Sequence, residues 1–578
     1  MELGVYAILG VAVIVAVAAF ARRLGVAAPI VLVLVGVGLS YLPGLPEVEV
    51  PPEAILDGVL PPVLYAAALT VPITDFRRNL GPIGSLSVVL VVITAFGSGF
   101  LLYATLPNLS LAAGVALGAV ISPPDAVAAT SIGRRLGLPP RLLTLLEGEG
   151  LVNDATALVL LRSALAAAAG ALASPWAGVL DFLYAVVVAL AVGLAAGIVT
   201  VFVRSRLTDA TLDTAVSLIV PFVAFMPAEA LHASGVLAVV VAGLFTGNVG
   251  PRSLSAQARI SERINWGTVQ FLLENAVFLL IGVQIRGLIE QVQKDSSVLG
   301  LGETIGLGLL AVAALVVIRY VWMVPLLSGL RRRTRRHEKR LLREWLWLSH
   351  YRTHPVETQL QARRKERFER RYDRRRADLA EDRENQIDWR GGVALGWAGM
   401  RGVVTLAAAQ SLPLGIPYRS QLILIAFTVA VVSLVVQGAS LPWLIRVLRI
   451  PGVDRGSDSR QLAQLLDEVS TAGLHAIDEP ELVLGTDEPV DPDVVERVRQ
   501  SSYLRSEAAW ERAGAHSEPL AEQPHRLFRE LRLAVVRAER ERLAEERRRG
   551  AYPTRVLSEA QAMLDLEETR LRPPRAGH

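Results

Sequence analysis

The sequence predicts an all-α polytopic membrane protein, with about 13 transmembrane helices set as two inverted six-helix repeats with discontinuous crossing helices, and a C-terminal cytoplasmic helical tail. Three observations predict it. The 578 residues are 52% hydrophobic yet only 6% aromatic, a balance that points away from a soluble protein of this length. Apolar runs long enough to cross ~30 Å of hydrocarbon recur as far as residue 446. Most of the charged residues, 20% of the chain, gather in 329–390 and after 446, which leaves the runs between almost uncharged.

In order, the runs fall at 4–20, 25–43, 53–72, 84–105, 111–132, 141–171, 178–203, 213–231, 234–248, 266–287, 302–328, 391–412 and 420–446. Their connections sort by charge. Those after odd runs read ARR, DFRRN, GRRLGLPPR, RSRL, SAQARISER, RRRTRRHEKR and RVLR. Those after even runs read PGLPEVEVPPE, PNLS, ASPWAG, EQVQKDSS and PLGIPYRS, or nearly vanish. By the positive-inside rule the odd connections are cytoplasmic, the N-terminus is outside and the C-terminus inside. The opening MELGVYAILG lacks the basic start of a signal peptide and reads as a first span.

The domains that follow are 1–328 with spans 1–11, a basic cytoplasmic segment at 329–390, the last two spans at 391–446 and a cytoplasmic helical tail at 447–578. Segment 329–390 carries 20 Arg and Lys against 11 Asp and Glu, and reads as a solvated helix beside the membrane or as a lipid-sensing element. The tail reads as helix, turn at Tyr552-Pro553, then helix. A net charge of +4 does not point to nucleic acid, because the basic residues cluster beside the spans. With no cysteine the chain has neither disulfides nor thiolate sites.

The spans divide into six, a linker and six. Position five of each half is then 111–132 and 391–412. The first is broken by Pro123 and Pro124, which lack amide donors and clash with the preceding turn. The second carries Gly396, Gly399 and Gly402 around Arg401. Interrupted spans at corresponding places of inverted halves point to a midplane site.

Around the first break lie Asp125, Glu147, Glu149, Asn153 and Asp154, in surroundings where an ionised carboxylate costs at least ~2.5 to 3.5 kcal/mol. Glu149 and Asn153 share a helix face, with Asp154 turned partly away. SPPDAVAA followed by LEGEGLVNDATALVL, together with WAGMRGVVTLAAAQSLP, resembles the motifs of the monovalent cation:proton antiporter family of bacterial and animal sodium/proton exchangers. Three positions depart from that pattern. Pro124 stands where the family usually has Thr, Gly150 where it often has Ser, and Ala66 where a glutamate is common in the third span.

Each candidate has a role to weigh. Asp154 is the expected cation and proton site; Asp125 is either a ligand or a cap for loose amides; Asn153 bonds across to the broken backbone or to Asp125. Asp154 and Asp125 are the transient ligands of the monovalent cation. Arg401 needs a buried partner, and the resemblance implies that Glu149 supplies it as a structural ion pair. Pro123, Pro124, Gly399 and Gly402 are the expected helix breaks. Glu274 and Glu229 are further acids with packing or titrating roles, and Glu274 stands where an Asn is common in the family. Glu147 and His232 read as solvated, and Arg162 and Arg286 as snorkelling at outer span ends.

The expected function is secondary antiport, not enzyme catalysis. A monovalent cation, sodium first, exchanges for a proton without a cofactor in a plasma-membrane homodimer contacting lipid, by electroneutral alternating access. Two alternatives stay open: a potassium/proton exchanger or cation channel on the same fold, and an intramembrane aspartyl hydrolase with Asp125 and Asp154 as its dyad.

Overall fold

The computed structural model describes residues 2–24, 26–43, 50–170, 175–207, 209–294, 299–353, 367–370, 372, 387–450, 452, 455–475, 491–500, 524–549 and 554–571. Among these residues the regular structure is helical, with no strand. The membrane part opens with α1 (Glu2–Leu24), α2 (Ala28–Ser40), α3 (Ala54–Thr70), the short α4 (Ile73–Arg78) and α5 (Leu80–Thr105). The first broken span is α6 (Leu111–Ile121) and α7 (Ala126–Leu136), followed by α8 (Pro140–Ala168). Next come α9 (Pro175–Arg204), α10 (Ala210–Ala230), α11 (Gly235–Ser253), α12 (Ala256–Val283), α13 (Ile285–Lys294) and α14 (Leu301–Thr353). The second broken span is α15 (Trp389–Trp397) and α16 (Val403–Gln410), before α17 (Arg419–Leu448).

Capping fixes several of these starts. Ser110, Ser234, Ser255, Asp209 and Asp388 each accept a hydrogen bond from a first-turn amide, the expected cure for orphan N–H groups. Among the described residues nine helices are long and apolar enough to cross a membrane, and three shorter apolar helices lie at Ala28–Ser40, Ala54–Thr70 and Gly235–Gly250. Every apolar run read from the sequence falls on one of these helices or on the α15–α16 pair. Two boundaries move. α12 begins at Ala256, ten residues before the run at 266–287, because its amphipathic first turns lack the hydropathy of a span. α14 continues unbroken from run 302–328 to Thr353, so the basic segment starts as an extension of that helix. Residues 354–366, 371 and 373–386 of that segment lie outside the described residues.

The helices pack in two groups. α12 lies chiefly against α2 and also on α3, while α9, α10 and α11 pack on one another and α11 reaches α3. In the other group α6 packs on α5 and α8, and α17 on α14 and α16. A buried Arg204 at the end of α9 donates to both carboxylate oxygens of Asp213 on α10, each at 2.8 Å, and to Glu262 on α12 at 2.6 Å. That network ties the start of α12 to the α9–α10 pair.

Residues 452–578 form a second unit, a boundary a few residues beyond the one read from the sequence. It contains α18 (Arg455–His475), α19 (Pro524–Arg549) and α20 (Thr554–Leu571). α19 and α20 pack together through buried Leu533, Val536 and Leu557, flanked by Arg532–Glu567 at 2.7 Å and by Arg540 with Asp565 and Glu568. The turn expected at Tyr552-Pro553 lies outside the described residues.

Candidate functional site

The site is built where the two broken spans meet. α6 stops at Ile121 just before Pro123 and Pro124, and α7 resumes at Ala126. Across from it, α15 ends at Trp397 and α16 begins at Val403, with Gly399 and Gly402 in the gap. The two gaps are bonded to each other: the Asp125 amide donates to the Met400 carbonyl at 2.6 Å.

Electrostatics at this crossing divide between two side chains. Asp125 caps α7, its Oδ1 accepting from the Val127 amide at 2.8 Å. It also lies against the start of α16, since a Cβ added at Gly402 would stand 2.2 Å from Asp125 Oδ2. One carboxylate therefore faces two helix N-termini, each worth about half a positive charge. Arg401 does the converse. Its guanidinium donates to Ile121 O at 3.0 Å, to Ser122 O at 3.4 Å and to Gly399 O, which are carbonyls at the ends of α6 and α15. Its own amide donates to Ser433 Oγ on α17 at 2.9 Å.

This use of Arg401 corrects the expected ion pair. Glu149 is paired with Arg319 of α14, through Oε1 at 2.6 Å and Oε2 at 2.8 Å, and both side chains are buried. Arg319 also donates to Leu395 O at 3.2 Å, and Ser87 Oγ donates to Glu149 O at 3.2 Å. The reason is one of height along α8. Asn153 meets the crossing, its Nδ2 donating to Pro124 O at 2.7 Å, whereas Glu149 lies one helical turn earlier, level with Arg319. Arg319 went unread in the sequence, although a lone arginine in the apolar run LVVIRYVW was a legible signal.

The remaining intramembrane acids separate by partner. Glu229 pairs with Arg162 at 2.6 Å and accepts from the Gly235 amide at 3.0 Å, so Arg162 is a partner and not only a snorkelling side chain. Glu147 pairs with Arg134 and Arg286 with Glu290. His232 is exposed at the connection after α10. Asp154 and Glu274 differ from all of these. Among the described residues neither has a cationic partner; Glu274 accepts only the Gln270 amide, at 2.7 Å, and Asp154 has no hydrogen bond. Two buried oxygens at the crossing, Asp125 Oδ2 and Asn153 Oδ1, have unsatisfied lone pairs among the described residues.

At the three departures from the resembled pattern, the structure supplies no side-chain oxygen. Ala66 is buried, Pro124 offers only its carbonyl to Asn153, and a Cβ added at Gly150 would stand 2.4 Å from Ala126 Cβ. A serine at 150 would require α7 and α8 to move apart.

Comparison with known proteins agrees with this architecture. Residues 9–447 match the family described as sodium/hydrogen exchanger, transmembrane. An uncharacterized Na+/H+ exchanger of Mycobacterium tuberculosis is 31% identical over 96% of this chain and 93% of its own length. The Na+/H+ antiporter ApNhaP of Aphanothece halophytica is 28% identical over 77% of this chain and 73% of its own. The structure of the sodium proton antiporter MjNhaP1 from Methanocaldococcus jannaschii at pH 8 shares the fold, with TM-score 0.56 and 16% identity over 78% of this chain and 99% of that one. The chain, a multi-pass membrane protein with two broken spans bonded at their gaps, belongs to the sodium/hydrogen exchanger family.

Proposed function

We propose that this protein exchanges a monovalent cation, sodium in the first place, for a proton at Asp154, by alternating access of the α6–α8 and α14–α17 group past the α2–α3 and α9–α12 group. The observation that carries the reading is that, among the described residues, Asp154 has neither a cationic partner nor a hydrogen bond. An intramembrane carboxylate without a counter-ion must be neutralised, and a proton or a cation does so in turn. The names of the relatives support sodium and proton as the cargo. Asp125 Oδ2, Asn153 Oδ1 and the unwound backbone are the oxygen donors that a hard cation requires beside Asp154.

Asn153 cannot titrate, so one carboxylate serves both ions and each cycle moves no net charge. We place the protein in the plasma membrane as a homodimer among lipids, with the N-terminus outside and the tail and residues 329–390 in the cytoplasm. Glu149–Arg319 and Arg162–Glu229 are structural in this scheme, because their charges are already matched. Membership of a transporter family leaves the hydrolase reading without support.

Dequenching of a pH-sensitive dye in everted vesicles, on adding sodium, lithium and potassium in turn, tests the cargo. Sodium should give the largest response. A response to potassium alone would favour the potassium/proton alternative.

A further inference from the structure

We propose that Glu274 is a proton-relay residue of this exchanger, which receives a proton from solvent and passes it to Asp154, while taking no part in holding the cation. The proposal rests on the reading of Asp154 as the shared site. Its first support is chemical. Glu274 is an intramembrane carboxylate that no cationic group among the described residues neutralises, so the least costly way to keep it in place is a proton. Among the described residues its one hydrogen bond comes from an N–H donor, the Gln270 side-chain amide, to Oε1; that leaves the other carboxylate oxygen to take up a proton, whereas a cation cage needs converging oxygens.

The second support is position. α12 belongs to the group built on α2 and α3, and it also touches α16, one of the half-helices of the crossing. Of the elements packed on it, α2 and α16 contain no charged residue; α1 carries Glu2, Arg22 and Arg23 at its ends and α3 carries Asp57; Asp213 and Glu229 of α10 are engaged by Arg204 and Arg162; and α13 carries Arg286 and Glu290, which pair, and Lys294 at its far end. Through α16, the helix that carries Glu274 reaches the crossing at which the Asp125 amide bonds to the Met400 carbonyl and Asn153 bonds to the Pro124 carbonyl. At that crossing the charge of Asp125 is met by two helix N-termini. In the transfer, the O–H bond at Glu274 breaks and one forms at the Asp154 carboxylate, by way of solvent water. Water then reprotonates Glu274, so each cycle still carries one proton.

Sodium isotope exchange at equal sodium and pH on both sides needs the Asp154 site but no proton transfer, whereas net sodium/proton exchange needs both. Full-length Glu274→Gln in proteoliposomes should keep isotope exchange near the wild-type rate and lose net exchange by roughly a hundredfold, most severely at high pH, where protons are scarce. Glu274→Asp should recover part of the loss. An equal fall in both fluxes would make Glu274 structural, and unchanged net exchange would leave it without a role; either overturns the relay. If Glu274→Gln does not fold, the same comparison on Glu274→Asp decides: net exchange must fall while isotope exchange holds. Asp154→Asn, measured alongside, should lose both fluxes. If it keeps isotope exchange, the shared-site reading fails, whatever Glu274 does.

Discussion

Glu149 is held by Arg319 in a two-pronged buried pair, at 2.6 and 2.8 Å, while Arg401, which is equally buried, is held by backbone carbonyls. The two arginines solve different problems. Arg319 neutralises a side chain, and Arg401 neutralises the negative ends of two half-helices. Neither arginine draws on Asp154, which has no cationic partner among the described residues.

Breaking the Glu149 pair leaves an uncompensated buried charge, so Arg319→Ala should lower stability by ~3 to 5 kcal/mol. Glu149→Gln combined with Arg319→Met should regain most of that loss. Thermal melts of singles and doubles measure the coupling directly. A coupling of Glu149 to Arg401 as strong as its coupling to Arg319 would refute the assignment.

Gly402 has no room for a methyl group, which would stand 2.2 Å from Asp125 Oδ2, whereas Gly415 has nothing within 4 Å. Gly402→Ala should therefore part α7 from α16 and cut exchange by roughly tenfold or more, as misplacement within a site commonly does. Gly415→Ala should behave as wild type. Equal activity in the two variants would mean that the close approach at the crossing is unimportant.

The charge sorting of the connections predicts that Asn108 faces outside and Arg77 the cytoplasm. Both are exposed, and the chain has no cysteine of its own. An impermeant thiol reagent added to intact cells should label Asn108→Cys and spare Arg77→Cys. The reverse pattern would invert the topology.

Much of this was legible in the sequence, for identifiable reasons. Apolar length and charge alternation are local signals, and they gave the helices with their order. Pro123 and Pro124 announced the first break through lost donors, and the glycines near Arg401 announced the second. Pairing across the fold was not legible. Which arginine meets Glu149 depends on the relative height of α8, α14 and the crossing, a three-dimensional quantity, and the resemblance pointed to the wrong one. The network of Arg204, Asp213 and Glu262 was missed because its members lie at span ends, where charge reads as solvated.

Asn153 donates to the Pro124 carbonyl and cannot titrate, so the proposal that one carboxylate serves both ions predicts an endpoint of exchange that does not depend on voltage. A cycle moving one net charge would feel ~2.3 kcal/mol per 100 mV. In proteoliposomes clamped with potassium and valinomycin, the sodium/proton endpoint should be the same at zero and at strongly negative potential. A shifted endpoint would mean that a second group titrates in the cycle.

Whether Asp154 carries the exchange is decided by sodium-driven proton movement in proteoliposomes of purified Asp154→Asn. Asn keeps the shape and removes the charge, so the variant should melt near the wild-type temperature and move no protons when sodium is added. Proton movement retained at the wild-type rate would mean that Asp154 is not the carrier and would shift that role to Asp125 or Glu274.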